Sequence, residues 1–182
     1  MFGSTFTESL SAAPHLYDEF KTLVAEANYY FVFTLHPKIA PQQKANYRAL
    51  QGKNARYVDA WELPHIIPHI HVLVADTTSL ISECVVMLKP VICFRNREPK
   101  PFMIQIELAS QLRSALRLAL TNDSIQSARI QEYADLIHPS RDGLASERIL
   151  DALLRFRFDG LAKKPMNVFR KLSRRIFYRF LR

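Results

Sequence analysis

Residues 71–94, HVLVADTTSLISECVVMLKPVICF, constrain the fold more than any other stretch of the chain. An apolar run from His71 to Ala75 stops at one acid and three successive hydroxyls: Asp76, Thr77, Thr78 and Ser79. A helical pattern follows. Lys89-Pro90 then leads into a second apolar run, Val91 to Phe94. Two short apolar runs separated by a helical segment read as strand, polar turn, helix, strand, which is the repeating unit of a parallel sheet.

The remaining segments agree with that reading. Ser11 is placed to cap a helix, Pro14 fits its first turn, and Leu16, Phe20, Leu23 and Val24 recur at helical spacing up to about Ala27. Tyr29 to Leu35 is rich in β-branched and aromatic residues and predicts a buried strand ending at His36-Pro37. A short surface helix is expected over 41–50, a strand over Ala55 to Val58, and one short helix over Glu62 to Ile70. Residues 95–104 read as a charged loop with prolines. Helices are expected over Ile106 to Leu120, Ile125 to Ile137 and Ala145 to about Phe156, with residues 1–11 a polar lead. Three or four strands and six or seven helices make an α/β domain: a small Rossmann-like parallel sheet flanked by helices.

Charge is unevenly placed. Residues 1–154 hold 15 Lys and Arg against 16 Asp and Glu, whereas residues 155–182 hold 10 against one, so the whole net charge of +8 comes from the tail. A near-neutral globular part gives no general case for nucleic-acid binding. The expected organisation is a domain over 1–158 and a basic tail over 159–182. The two cysteines, Cys84 and Cys93, lie in apolar surroundings and read as buried thiols rather than a disulfide. No metal spacing appears. His65, His69 and His71 cluster, but on a segment interrupted by proline and without a carboxylate at ligand spacing. Neither metal nor cofactor is expected.

Four places could carry chemistry. In an open parallel sheet ligands bind outside the carboxyl ends of the strands, where the 76–79 turn sits. Asp76, Thr77, Thr78 and Ser79 could hold a phosphate there, and the same residue types are also what an ordinary helix cap requires. Glu83 lies one helical turn beyond Ser79, either facing a ribose diol or facing solvent. His36 projects from the same edge and could act as a general base or bind phosphate. Arg141-Asp142-Gly143 combines a guanidinium suited to phosphate with a possible helix cap.

Together, Gly3-Ser4-Thr5-Phe6, Leu35-His36-Pro37-Lys38, Val74 to Ser79 leading into Lys89-Pro90-Val91, and His138 with Arg141-Asp142-Gly143 through Ser146-Glu147-Arg148 resemble the CDP-glycerol glycerophosphotransferase family. The resemblance covers about residues 1–155 and is to the C-terminal, nucleotide-binding half of a two-domain GT-B fold. It implies a transferase of polyol phosphate in teichoic-acid-type polymer synthesis at the cell envelope. His36 would be catalytic. Asp76, Thr77, Thr78, Ser79, Arg141 and Asp142 would bind the donor diphosphate, and Glu83 would hold the nucleotide ribose. The family's acceptor-side half has no counterpart in these residues. Either a partner chain supplies it, or the chain binds donor without turning over alone. As an alternative, Cys93 to Pro99 is similar to the post-strand loop of the UDP-GlcNAc 2-epimerase-like group, also GT-B.

The tail has its own pattern. Within 163–182, Val168, Leu172, Ile176 and Phe180 recur every four residues, bordered by Phe169 and Phe177, with Lys and Arg filling most of the remainder. A basic, aromatic amphipathic helix suits an anionic membrane surface, although packing on the domain or RNA binding would use the same residues. The expected location is therefore cytoplasmic, peripheral on the inner face of the membrane.

Overall fold

The computed structural model describes residues 1–121, 123–157, 167–170, 172 and 173. Contacts divide the chain into two compact units, Met1–Arg141 and Asp142–Arg182. The first unit contains a six-stranded, fully parallel sheet: β1 (Phe2–Ser4), β2 (Phe31–Leu35), β3 (Ala55–Tyr57), β4 (Leu73–Ala75), β5 (Val91–Phe94) and β6 (Met103–Ile106). Its helices are α1 (Ala13–Glu26), α2 (Pro41–Ala49), α3 (Leu63–Ile66), α4 (Leu80–Val86), α5 (Leu112–Leu120) and α6 (Ser124–Ile137), with short 3-10 turns between some of them.

The strand order is β3-β2-β1-β4-β5-β6. The chain therefore winds outward from β1 in one direction, returns, and winds outward the other way from β4. That order reversal leaves a crevice between β1 and β4 at the carboxyl edge, where open α/β sheets take their ligands.

The apolar runs are continuous because both faces of the sheet are covered. Successive side chains of a strand point to opposite faces. Val72, Val74, Ile92 and Phe94 accordingly join Phe2, Phe20, Phe33, Tyr47 and Leu112 in one core. Leu73, Ala75, Val91 and Cys93 join Ile81, Cys84, Val85, Phe102 and Ile130 in another. In the first core Phe2 stacks on Tyr47 at 5.3 Å between ring centroids, and the Tyr47 hydroxyl donates to the Ala13 carbonyl at 2.9 Å.

Two strands depart from the sequence expectation. Residues 2–4 form the central strand rather than a polar lead. Phe2, Gly3 and Ser4 are all buried, and Phe2 pairs with both Phe33 and Val74. Three residues with one glycine and one serine give no periodic signal, and only pairing on both sides makes them a strand. Residues 103–106 form the edge strand β6 rather than the end of a loop, in register from Val91↔Met103 to Phe94↔Ile106. Pro99 and Pro101 obscured it; both precede the strand and cost it no ladder bond. The expected helix from Ile106 starts only at a 3-10 turn over Ala109–Gln111.

In the second unit α7 (Ala145–Arg155) is helical as expected. The expected boundary between 158 and 159 lies outside the described residues, as does most of the 163–182 helix. Of that stretch, Val168–Arg170 are helical, and the Asn167 side chain accepts from the Arg170 N–H at 2.8 Å. No helix among the described residues is long and apolar enough to cross a membrane.

Candidate functional site

Asp76 follows β4 directly, but its side chain turns back into the fold. It is 0% exposed. Oδ2 accepts from Ser4 Oγ at 2.5 Å and from the Ala12 N–H at 2.9 Å, and Oδ1 accepts from the Thr5 N–H at 3.0 Å. Ser4 Oγ also lies 2.9 Å from Ser11 Oγ. The main-chain carbonyl of Asp76 accepts from Asn96 Nδ2 at 2.9 Å. One residue at the order reversal thus fastens the loops after β1, β4 and β5 to one another. Burial pushes its carboxyl above the ordinary aspartate range, and the Ser4, Ala12 and Thr5 donors oppose that shift.

The turn therefore does not cap α4 through its acid. Ser79 stands at the N-cap position and makes no side-chain capping bond, while the Thr78 hydroxyl takes only a long 3.4 Å contact from the Leu80 N–H. Both hydroxyls remain available. At seven residues α4 carries a small macrodipole, which leaves side chains rather than the helix end to hold an anion. The helix stops in a Schellman arrangement. The Lys89 N–H reaches the Cys84 carbonyl, the Leu88 N–H reaches that of Val85, and Leu88 takes φ 57°.

A cleft of about 280 Å³ opens at this edge, lined by Ser4, Thr34, His36, Thr78, Ser79 and Glu83 on its polar side. Leu35, Pro37, Ala60, Leu63, Pro64 and Leu80 complete it. α4 sits close over β1, so that a Cβ on Gly3 would fall 2.6 Å from Leu80 Cδ1. A side chain at position 3 would have to displace the end of the Leu80 side chain.

His36 is held in a defined orientation. Its Nδ1 accepts from the Lys38 N–H at 3.1 Å, and its ring packs on Phe6 at 4.4 Å between centroids. A nitrogen that accepts from a backbone amide cannot carry the proton of the neutral ring. The proton is then on Nε2, which makes neutral His36 a hydrogen-bond donor rather than a base. Lys38 Nζ lies 5.7 Å from the centroid of the same Phe6 ring, so the turn after β2 also presents a cation.

The structure brings His36, Thr78, Ser79 and Glu83 to one cleft. Thr77 is exposed and Asp76 is buried behind the wall; neither lines it. Arg141 is bound to Asp135 at 2.5 Å, beside the end of α6. Asp142, in the second unit, pairs with Arg148, which holds its carboxyl well below the usual range. Sequence reasoning assigned no role to Ser4, Thr34 or Leu63. A strand end was the signal for Ser4, and it was lost because β1 itself was unrecognised. Among the described residues no cluster of His, Cys, Asp and Glu is arranged to hold a metal ion.

No protein-family model matches the chain, and no curated protein matches it. Among solved structures, one assigned as a UDP-N-acetylglucosamine 2-epimerase from Listeria monocytogenes is similar, with a TM-score of 0.57 and 16% identity. The match covers 84% of this chain and 43% of that one, so the chain spans less than half of its neighbour's length. At that identity the likeness is one of fold. It supports the GT-B-type half-domain, a Rossmann-like parallel sheet flanked by helices, and does not extend to the CDP-glycerol glycerophosphotransferase family.

Proposed function

We propose that the chain is the donor-binding half of a glycerophosphotransferase that uses CDP-glycerol or a similar nucleotide-diphosphate donor. The observation that carries this reading is the cleft at the order reversal, where a donor-tautomer imidazole, two hydroxyls with their protons still to give and a carboxylate face one space. The diphosphate would sit against His36 Nε2, Thr78 and Ser79, with Lys38 nearby. Glu83 would accept from the ribose diol, and Ala60, Leu63 and Pro64 would cover apolar ligand surface.

In the transfer an acceptor hydroxyl oxygen attacks the β-phosphorus. The bond from that phosphorus to the bridging oxygen breaks, and CMP leaves with the electron pair. The His36 Nε2–H and the two hydroxyls stabilise charge gathering on the phosphate oxygens, and the cleft orients the donor. The acceptor's proton needs a base. His36 in this tautomer does not supply one, so the base belongs to an acceptor-side half on a partner chain or elsewhere. The basic tail would hold the assembly on the anionic inner face of the cell membrane, in polymer synthesis at the envelope.

A second reading, binding of a UDP-sugar, is favoured by the likeness of fold to the Listeria structure. Calorimetry with CDP-glycerol, CDP-ribitol and UDP-N-acetylglucosamine separates the two. The first reading expects binding of a CDP-polyol. Selective binding of the UDP-sugar would replace it with the second, and a folded protein that binds none of the three ends both.

A further inference from the structure

The charged residues of α7 and its apolar residues lie on opposite sides. Ile149, Leu150, Leu153 and Leu154 share one face, and Glu147, Arg148, Asp151 and Arg155 share the other. In a helix of a folded domain the apolar face is normally the covered one. Within its own unit that face is exposed: Leu153 by 67% and Leu154 by 77%, with Ile149 and Leu150 exposed as well.

The polar face is balanced within itself. Asp142 pairs with Arg148, and Arg155 Nε lies 2.8 Å from Asp151 Oδ1. The residues that follow are not balanced, since 156–182 carry nine basic side chains and one acid. Where that sequence is next described, at 167–170, 172 and 173, it again exposes apolar side chains: Val168, Phe169 at 87% and Leu172. An uncovered apolar face joined to a large excess of positive charge matches one environment in chemistry. In the interface of an anionic bilayer, leucine side chains enter the acyl boundary while Lys and Arg meet phosphate headgroups. A protein partner would need the apolar face but would leave the charge excess without a counterpart.

We propose that α7 is a lipid-docking element, and that Ile149, Leu150, Leu153 and Leu154 insert at the surface of an anionic bilayer. The proposal rests on the membrane attachment read for the tail and extends it to a helix that the sequence reading placed in the globular domain. α7 then lies in the plane of the interface, its length about 16 Å at 1.5 Å per residue.

The test uses the full chain and phosphatidylcholine vesicles with and without phosphatidylglycerol. Wild type, L150E/L153E and a deletion of 163–182 are compared by co-sedimentation. L153W in a W61F background is read by quenching from brominated lipids. The double variant is expected to partition onto anionic vesicles at least about tenfold less than wild type, because burying even one leucine side chain is worth about that factor. The tryptophan in L153W is expected to be quenched. Both side chains are exposed, so the variant's circular dichroism should match wild type. The proposal is overturned if L150E/L153E binds as wild type while the tail deletion abolishes binding, which would leave the tail reading intact. It is also overturned if the double variant changes only the oligomeric state, which marks a protein interface. Absence of wild-type binding to either vesicle removes both readings.

Discussion

Ser4 donates to Asp76 at 2.5 Å across 72 residues of sequence, at the point where the strand order reverses. The bond joins the ends of β1 and β4, and the same carboxylate takes the Ala12 and Thr5 amides. Whatever binds at this edge depends on it for the placement of Ser4 and the loop above.

Asp76→Asn should therefore destabilise the fold. An amide oxygen replaces two acceptor oxygens, and the new NH₂ faces buried donors; each unsatisfied group costs about 1–3 kcal/mol. The pH dependence has a defined sign. Burial raises the native carboxyl above its ordinary value of about 3.9, so Asp76 binds its proton more readily folded than unfolded. Its contribution to stability is full below that ordinary value and declines as pH rises through the raised one. D76N lacks this term. Urea unfolding from acid to neutral pH should show the gap between wild type and D76N largest at the acid end; a gap that grows toward neutral pH would contradict it.

His36→Phe keeps an aromatic ring against Phe6 but removes the Nε2 donor. A hydrogen bond to a charged group is worth about 1.5–3 kcal/mol, so donor affinity should fall roughly tenfold to a hundredfold. Calorimetry with CDP-glycerol reads this directly. Undiminished affinity in H36F would take His36 out of the binding site.

Ala27 ends α1 in the left-handed region at φ 59°. An L-residue there bears a strain of about 1–2 kcal/mol that glycine does not, partly offset by glycine's greater freedom when unfolded, about 0.4–1 kcal/mol. Ala27→Gly should raise the midpoint of thermal unfolding by a few degrees. A lower midpoint would show that the cap is held by something other than backbone preference.

Cys84 and Cys93 are fully buried, and burial pushes both thiols up to about 12. Neither should react with a thiol reagent at neutral pH while the protein is native, and both should react in denaturant. Rapid native labelling of either would place it outside the core.

Where the sequence was periodic, it was readable. The 71–94 unit, the strand before His36 and the helices at 13–26, 124–137 and 145–155 follow from spacing and end signals within each segment. β1 and β6 did not, because three or four residues beside glycine, serine or proline become strands only when neighbours pair with them. Of the candidate site, His36, Thr78, Ser79 and Glu83 could be placed at one edge from sequence, since strand ends and helical spacing locate them. The inward turn of Asp76 could not, because its partners lie in a strand the sequence concealed and in the loop after it.

The sequence by itself determined that a hydroxyl turn joins a buried strand to a short helix in a parallel α/β fold. That much depends on local preference and on apolar spacing. Only the tertiary structure decided that Asp76 faces inward and braces three loops, while Thr78, Ser79, His36 and Glu83 face one cleft. The physical reason is that a turn residue's direction is set by which donors pack against it. At this edge the donors come from β1 and its loop, brought beside β4 by strand order alone.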